Sequence, residues 1–428
     1  MALAGFDRKA FEEVLKQRLS PTTPIRSAEF LRGRDKKLED IRRSLVQPGR
    51  HVFIYGERGV GKTSLAQTVA FEHHPASRAP ILLGCDPGSS FYSIAKNLCD
   101  RLEGLGPGEH KKTRRRTAML GIPSVAGVED HEATEHGHAT ELRSINDAVA
   151  AVALAVKGYK LAPVVVIDEF ERIKSASERM LFADFIKQIG DQMVPLKLIF
   201  CGVGSVLGEL LDAHHSCYRY LTTVPLERLG YEPRLEIIDG AAGSLGIEVE
   251  NTTRYRIATI SDGFPHYVHL ITEKLLWQVF EYQHPLKKTA AADFVAAIKE
   301  AANDVEAHLK AIYETATLKY RNDYEEVLWA VADYHELKRR SSDIFESYLR
   351  IMKKRGTTPL SREKFNGRMN QLKKPAHASV LKGNRQGWYE FSENVLRGYV
   401  RLRAEEQGIS LGIDHPMLPR AVAASARD

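Results

Sequence analysis

The chain reads as an α/β protein built on a parallel sheet, continued by a mostly helical second half. Three observations carry this. Continuous apolar runs at 51–55, 80–84, 163–167 and 196–201 alternate with amphipathic stretches at helical spacing. Strands that are apolar throughout are buried on both faces, as in parallel sheets covered by helices. The first run passes directly into Gly56-Glu57-Arg58-Gly59-Val60-Gly61-Lys62-Thr63 and then into a helical stretch at 64–70. From 231 to 318 the strand pattern disappears and helix signals follow one another.

Composition bounds the rest. A chain of 428 residues suggests two or three domains. With 43% hydrophobic and 27% charged residues it has the balance of a soluble globular protein. No apolar run approaches the ~20 residues that a membrane span needs. Residues 1–8 lack the apolar core of a signal peptide, so the expected location is the cytoplasm. Cys85, Cys99, Cys201 and Cys217 are scattered, with no C-x-x-C spacing. That fits buried free thiols in a reducing compartment rather than a disulfide or zinc framework.

Taken in order, 6–19 has the pattern of a short amphipathic helix. Ser20-Pro21-Thr22-Thr23-Pro24 follows as a linker, giving an N-terminal segment of 1–27. The core is expected over 28–230. It opens with Phe30-Leu31-Arg32-Gly33-Arg34-Asp35 and a charged helix to Val46. The glycine run after the first strand fits G-x-x-x-x-G-K-[ST], the P-loop, in the strand–loop–helix setting that the motif requires. Its glycines let backbone N–H groups turn inward around phosphate oxygens. Gly56, Gly59, Val60, Gly61, Lys62, Thr63 and Ser64 are therefore the candidate phosphate-binding residues. Lys62 is expected on the β- and γ-phosphates and the Thr63 hydroxyl on Mg²⁺, so the cofactors expected are ATP and Mg²⁺.

After a helix at 90–102, the stretch 104–138 interrupts the pattern. It is rich in Gly, Lys, Arg and His and begins with the basic run 111–116. It reads as an inserted hairpin or loop, suited to DNA, a neighbouring subunit or solvent alike. His131, His136 and His138 are close together but lack a nearby cysteine. The core resumes with a helix at 140–157, then the strand Val164-Val165-Val166-Ile167 running into Asp168-Glu169, then a helix at 178–192. A buried strand ending in two acids places carboxylates at the carboxyl edge of the sheet, where doubly wound folds bind ligands. Asp168 would hold Mg²⁺ and Glu169 would act as general base on the attacking water. Taken alone, the same pair also fits an acidic helix start.

The P-loop, the hhhhDE strand, a further strand and an arginine ahead of another short strand together resemble AAA+ ATPases. The closer resemblance is to the initiator-like branch related to origin-recognition ATPases and to STAND NTPases. It extends over about 28–318. The G-R-x-x-x-L segment of that branch matches Gly33-Arg34-Asp35-Lys36-Lys37-Leu38, which the resemblance places against adenine. It implies a sensor at the end of the strand 198–205, where Ser205 is the polar residue. It implies an arginine finger at Arg219, within Tyr218-Arg219-Tyr220, reaching the γ-phosphate of a neighbour, and with it a homo-oligomer. Gly263-Phe264-Pro265 resembles the G-x-P of STAND proteins, which implies Pro265 near the base in place of a sensor arginine. Residues 231–320 would form a helical lid.

The last third carries the charge. Between Lys338 and Arg403 there are 17 Lys+Arg against 5 Asp+Glu, an asymmetry typical of polyanion contact. Helices are expected at 324–334 and 341–354, and a third opens at Ser361 as N-cap, with Phe365, Met369 and Leu372 on its core face. Its opposite face carries Arg362, Asn366, Arg368, Asn370, Gln371 and Lys374. A hairpin with a basic tip, Lys382 and Arg385, follows. Three helices and a hairpin resemble a winged helix over 321–406, serving double-stranded DNA or, as the alternative, protein contact. A flexible tail is expected over 407–428. The function expected is an ATPase, slow and stimulated by a partner or DNA, whose nucleotide state controls self-assembly and DNA binding. The alternative is a STAND-type ATP-gated switch, for example in phage defence, recognising a protein trigger, and a third reading is an ATPase subunit serving a separate effector.

Overall fold

The computed structural model describes residues 6–74, 79–104, 142–213, 217–282, 286–318, 323–384, 386–419 and 422. The inserted stretch with its basic run and its three histidines lies outside the described residues, as does Arg385. The chain divides into two compact units. One comprises Lys37–Tyr55 and Ala66–Val224, the other Met1–Lys36, Gly56–Leu65 and Pro225–Asp428.

The first unit is α/β. Its strands are β1 (His51–Tyr55), β2 (Ile81–Gly84), β3 (Val164–Asp168), β4 (Lys197–Gly202) and β5 (Leu221–Pro225), in the order β2-β3-β4-β1-β5. β2, β3, β4 and β1 pair in parallel, with Gly84 opposite Asp168, Ile167 opposite Phe200 and Tyr55 opposite Gly202. Val164–Ile167 and all of β4 are buried, because helices cover both faces. Phe53, Phe91, Phe170, Phe182, Phe185 and Phe200 fill the core, with Phe170 edge-on to Phe182 at 5.0 Å between ring centres.

Polar caps fix the helix starts. Ser90 and Ser93 form a capping box at Phe91–Leu102. Ser144 and Asp147 do the same at Ile145–Ala155, so this helix begins five residues later than its apolar pattern suggests. Ser175 caps Ala176–Asp191. His51 is fully buried on β1, and its Nδ1 accepts the Leu198 N–H at 3.1 Å. Burial, with help from Lys197, pushes its pKa down to about 3, so it is neutral.

The second unit is helical. The N-terminal helix Arg8–Arg18 stacks Phe11 on Phe280 at 4.2 Å. Helices Tyr231–Ser244, Asn251–Ile260, Pro265–Phe280, Ala291–Asp304 and Ala307–Thr317 follow. The C-terminal segment runs helix Tyr324–Ala332, β6 (Arg339–Arg340), helices Ser341–Arg355 and Arg362–Gln371, β7 (Leu381–Gly383), β8 (Trp388–Phe391) and a closing helix Asn394–Glu406. β6, β8 and β7 form an antiparallel sheet in that order.

The lid and the C-terminal segment are one compact unit, because the closing helix is bonded into the lid. Arg401 donates to Thr259 O at 2.8 Å and to Ala332 O at 2.9 Å, and Arg256 pairs with Glu405. The described part of the tail, 407–419, is packed. Ile409, Leu411, Ile413 and Leu418 are buried, and the Gly412 N–H donates to Asp333 O at 2.9 Å. Finally, Arg339, Arg397 and Arg401, three cations of the basic segment, are buried. Arg397 and Arg401 lie 3.4 and 3.2 Å from the Asp262 carboxylate, which Arg228 also meets at 2.8 Å. Burial disfavours the Asp262 charge, but Arg397, Arg401, Arg228 and Arg234 together hold its pKa below the usual range. Their charge neutralises an internal acid instead of facing a polyanion.

Candidate nucleotide site

β1 ends at Tyr55 and the chain turns through the P-loop into helix Lys62–His73. The glycines are there for space and angle. A side chain at Gly56 would place its Cβ 2.1 Å from Leu226 O, and Gly61 has a φ of +96° that only glycine adopts readily. The helix N-terminus presents the positive end of its dipole to an anion. Lys62 is curled over its own loop, with Nζ donating to Gly56 O at 3.1 Å and Glu57 O at 2.9 Å. A carbonyl-held ammonium, close-set glycines and a helix start together fit a phosphate chain.

Neighbouring segments of the same unit brace the loop. Arg34 is buried and donates to Val60 O at 3.1 Å and Glu227 O at 2.7 Å. Burial lowers its pKa to about 10, against the pull of Glu227, so it remains charged at neutral pH. Its guanidinium ties the loop to the 227 segment. Ser64 Oγ accepts the Ile25 N–H at 3.2 Å, which fastens the N-terminal linker to the P-loop helix. Pro265 occupies the first turn of helix Pro265–Phe280, and its Cγ lies 3.8 Å from the Cβ position of Gly61.

One contact was not foreseen in the sequence. The closing helix begins at the P-loop. Asn394 Nδ2 donates to Glu57 Oε1 at 3.0 Å, and Val395 Cγ2 lies 3.3 Å from the Cβ position of Gly59. Tyr267 seats that helix. Its hydroxyl donates to Val395 O at 2.9 Å, and its ring would lie 2.4 Å from a Cβ on Gly398. No motif marks Asn394; only the fold brings it 337 positions back to Glu57.

In the α/β unit, β3 and β1 run parallel through β4, so Asp168 and Tyr55 end at the same sheet edge. Asp168 Oδ1 accepts the Glu169 N–H at 2.8 Å. Glu169 sits at φ +54°, left-handed for a non-glycine residue, a conformation that costs about 1–3 kcal/mol and gathers at functional sites. The buried Phe170 anchors this turn in the aromatic core. Glu169 Oε2 is paired with Arg172 Nη1 at 2.7 Å, both side chains being about half exposed at 51% and 48%. The carboxylate is thus accessible and reversibly tied. Beside the end of β4, Glu171 directs a buried Oε2 with no hydrogen-bond partner toward Gly202. Ser205 does not lie on β4; it is in the first turn of helix Gly204–Ala213 and exposed. Arg219 is exposed on the short helix Cys217–Tyr220, which is held where the Tyr220 ring fits against Gly190 and its hydroxyl meets Asp191.

No curated protein matches the sequence. Among solved structures, a Walker-type ATPase of Pyrococcus abyssi aligns at 16% identity and a TM-score of 0.49, over 89% of this chain and 99% of its own. Cdc6p from Pyrobaculum aerophilum aligns at 14% and 0.44, over 92% and 98%. The Aeropyrum pernix Orc1 protein, solved in complex with DNA, aligns at 12% and 0.41, over 89% and 95%. At these identities and scores the likeness is loose and bears on neither substrate nor partner. Residues 31–199, less than half of the chain, match the family of the AAA ATPase domain, and it is to that family that the segment carrying the P-loop and the Asp168-Glu169 strand is similar.

Proposed function

We propose that the protein binds and hydrolyses ATP with Mg²⁺, and that its nucleotide state governs self-assembly and contact of a C-terminal winged helix with duplex DNA. The P-loop carries this reading: its glycines are sterically required, its lysine is held over the loop, and it opens a helix of 12 residues. Likeness of 31–199 to the AAA ATPase domain supports it.

The roles follow from the side chains. Gly56, Gly59, Val60, Gly61, Lys62, Thr63 and Ser64 would bind the phosphates, with Arg34 and Pro265 bracing the loop toward the base. Thr63 and Asp168 would hold Mg²⁺, which when bound neutralises phosphate charge. Glu169, once released from Arg172, would accept a proton from the attacking water. Arg219, exposed, would meet the γ-phosphate site of a second copy, which makes turnover depend on assembly. Helix–strand–helix–helix–hairpin order in the C-terminal segment supports the winged helix. The contact of Asn394 and Val395 with the P-loop supplies a route from nucleotide to that module.

The same contact favours a second reading, a STAND-type switch in which the C-terminal module is held by the P-loop until ATP exchanges and then recognises a protein. Binding of a fluorescent ATP analogue tests what both readings share. Lys62→Ala should weaken it by at least about a hundredfold, the order expected when a charge-assisted phosphate contact is removed. Wild-type affinity in that variant would remove the nucleotide assignment.

A further inference from the structure

The C-terminal module carries on its sheet a surface that combines cations with an aromatic ring, and this surface offers a base a stacking partner that the third helix does not. On helix Arg362–Gln371 two of the three cations, Arg362 and Arg368, are engaged by neighbouring side chains, while Lys364 is exposed. Arg368 lies 3.6 Å from Asp323 and over the Tyr324 ring at 4.8 Å, while Arg362 lies over Phe345 at 4.6 Å. Asn366 Oδ1 accepts from the Ser341 hydroxyl at 2.9 Å. The other exposed residues are Glu363, Lys364, Gly367 and Asn370, with Lys374 just past the helix end; they offer two lysines and one acid but no aromatic ring.

The sheet is different. Register pairs Arg340 with Trp388 and Lys382 with Glu390. Side chains alternate along a strand. Arg339, Leu381, Tyr389 and Phe391 are buried on the inner face, so Arg340, Trp388, Lys382 and one acid, Glu390, stand on the outer one, with Lys382 opposite Glu390 and donating to Ser392 O at 3.2 Å. Arg340 is exposed, and its guanidinium lies over the half-buried Trp388 ring at 5.1 Å. Among the described residues no carboxylate pairs with Arg340. An aromatic ring carrying an uncompensated guanidinium, with a lysine two strands away, matches the stacking platform and phosphate grip of proteins that bind unpaired bases.

We propose that this face binds nucleic acid presenting unpaired bases, a single strand or the open end of a duplex. Trp388 stacks on a base while Arg340 and Lys382 hold its phosphates. This rests on the DNA-binding reading above and changes which DNA is bound and by which face.

Fluorescence anisotropy of the full chain with three labelled oligonucleotides of one length tests it: a single strand, a blunt duplex and a duplex with an unpaired tail. The single strand and the tailed duplex should bind more tightly than the blunt duplex. Trp388→Ala should weaken single-strand binding about tenfold, the scale of one lost base stack. Trp388→Phe should restore most of it, and Arg340→Gln should weaken it too. The emission that distinguishes wild type from Trp388→Phe should be quenched by the single strand. Wild-type single-strand affinity in Trp388→Ala would overturn the platform. So would tightest binding to the blunt duplex, lost in Lys364→Ala/Lys374→Ala, although the DNA-binding reading would then stand. Binding to none of the three would overturn both.

Discussion

The nucleotide reading proposed above rests on single residues. Gly56 and Gly61 were legible in the sequence as the glycines of the motif, and the structure leaves no room for a Cβ at Gly56 and holds Gly61 at φ +96°. Lys62 and Thr63 were legible because their spacing is dictated by a phosphate chain and its metal. Glu169 was readable as an acid at a strand end, but its left-handed backbone and its pairing with Arg172 were not. Those depend on Phe170 being drawn into the core. Glu169→Gln should keep ATP affinity and lower turnover by about 10²–10⁴, the range of a lost general base. Single-turnover hydrolysis measures this, and an unchanged rate would dismiss Glu169 as the base. The charge count misled at Arg339, Arg397 and Arg401, since composition does not distinguish a buried cation from an exposed one.

At the scale of elements, strands and helices were read closely where pattern and cap agree. Apolar runs gave β1, β3 and β4 to within a residue, because strands buried on both faces leave an uninterrupted signature. Helix Ile145–Ala155 starts late because Ser144, not the apolar pattern, terminates the preceding segment. The closing helix was missed altogether. Its role rests on Tyr267 finding the space that Gly398 leaves, a long-range fit with no local signal. The short helix Cys217–Tyr220 belongs to this scale too, since Tyr220 anchors it and leaves Arg219 projecting. Arg219→Ala should retain ATP binding while losing turnover by at least about a hundredfold, on the scale of a trans-acting arginine. Mixing it with Glu169→Gln should restore activity, because each supplies what the other lacks. Wild-type turnover in Arg219→Ala alone would rule out the finger.

Over the whole molecule, the α/β half was legible from its apolar runs, whereas the grouping of the remaining segments was not. Lid, C-terminal segment, N-terminal helix and P-loop form one unit because buried arginines and a packed tail join stretches far apart in the chain. Each unit also holds a histidine that must stay neutral. Burial lowers His51 to about 3 and His269 to about 4 from an ordinary 6.5. A depressed folded value means that the unfolded chain binds more protons between the two values. Stability is therefore full above pH 6.5 and falls as pH drops toward the folded values. At about pH 5 each unit should lose up to about 2 kcal/mol. Thermal unfolding across that window measures it, and a midpoint that is flat from neutral to about pH 5 would contradict the neutral assignment.

The central claim is that one chain couples an ATP site to a nucleic-acid-binding module. ATP turnover with and without DNA, at low and moderate salt, tests it most directly. Turnover should rise with DNA, and the rise should shrink as salt screens the phosphate contacts. Intact ATP binding with turnover indifferent to DNA at every salt would contradict it and leave the protein-triggered switch.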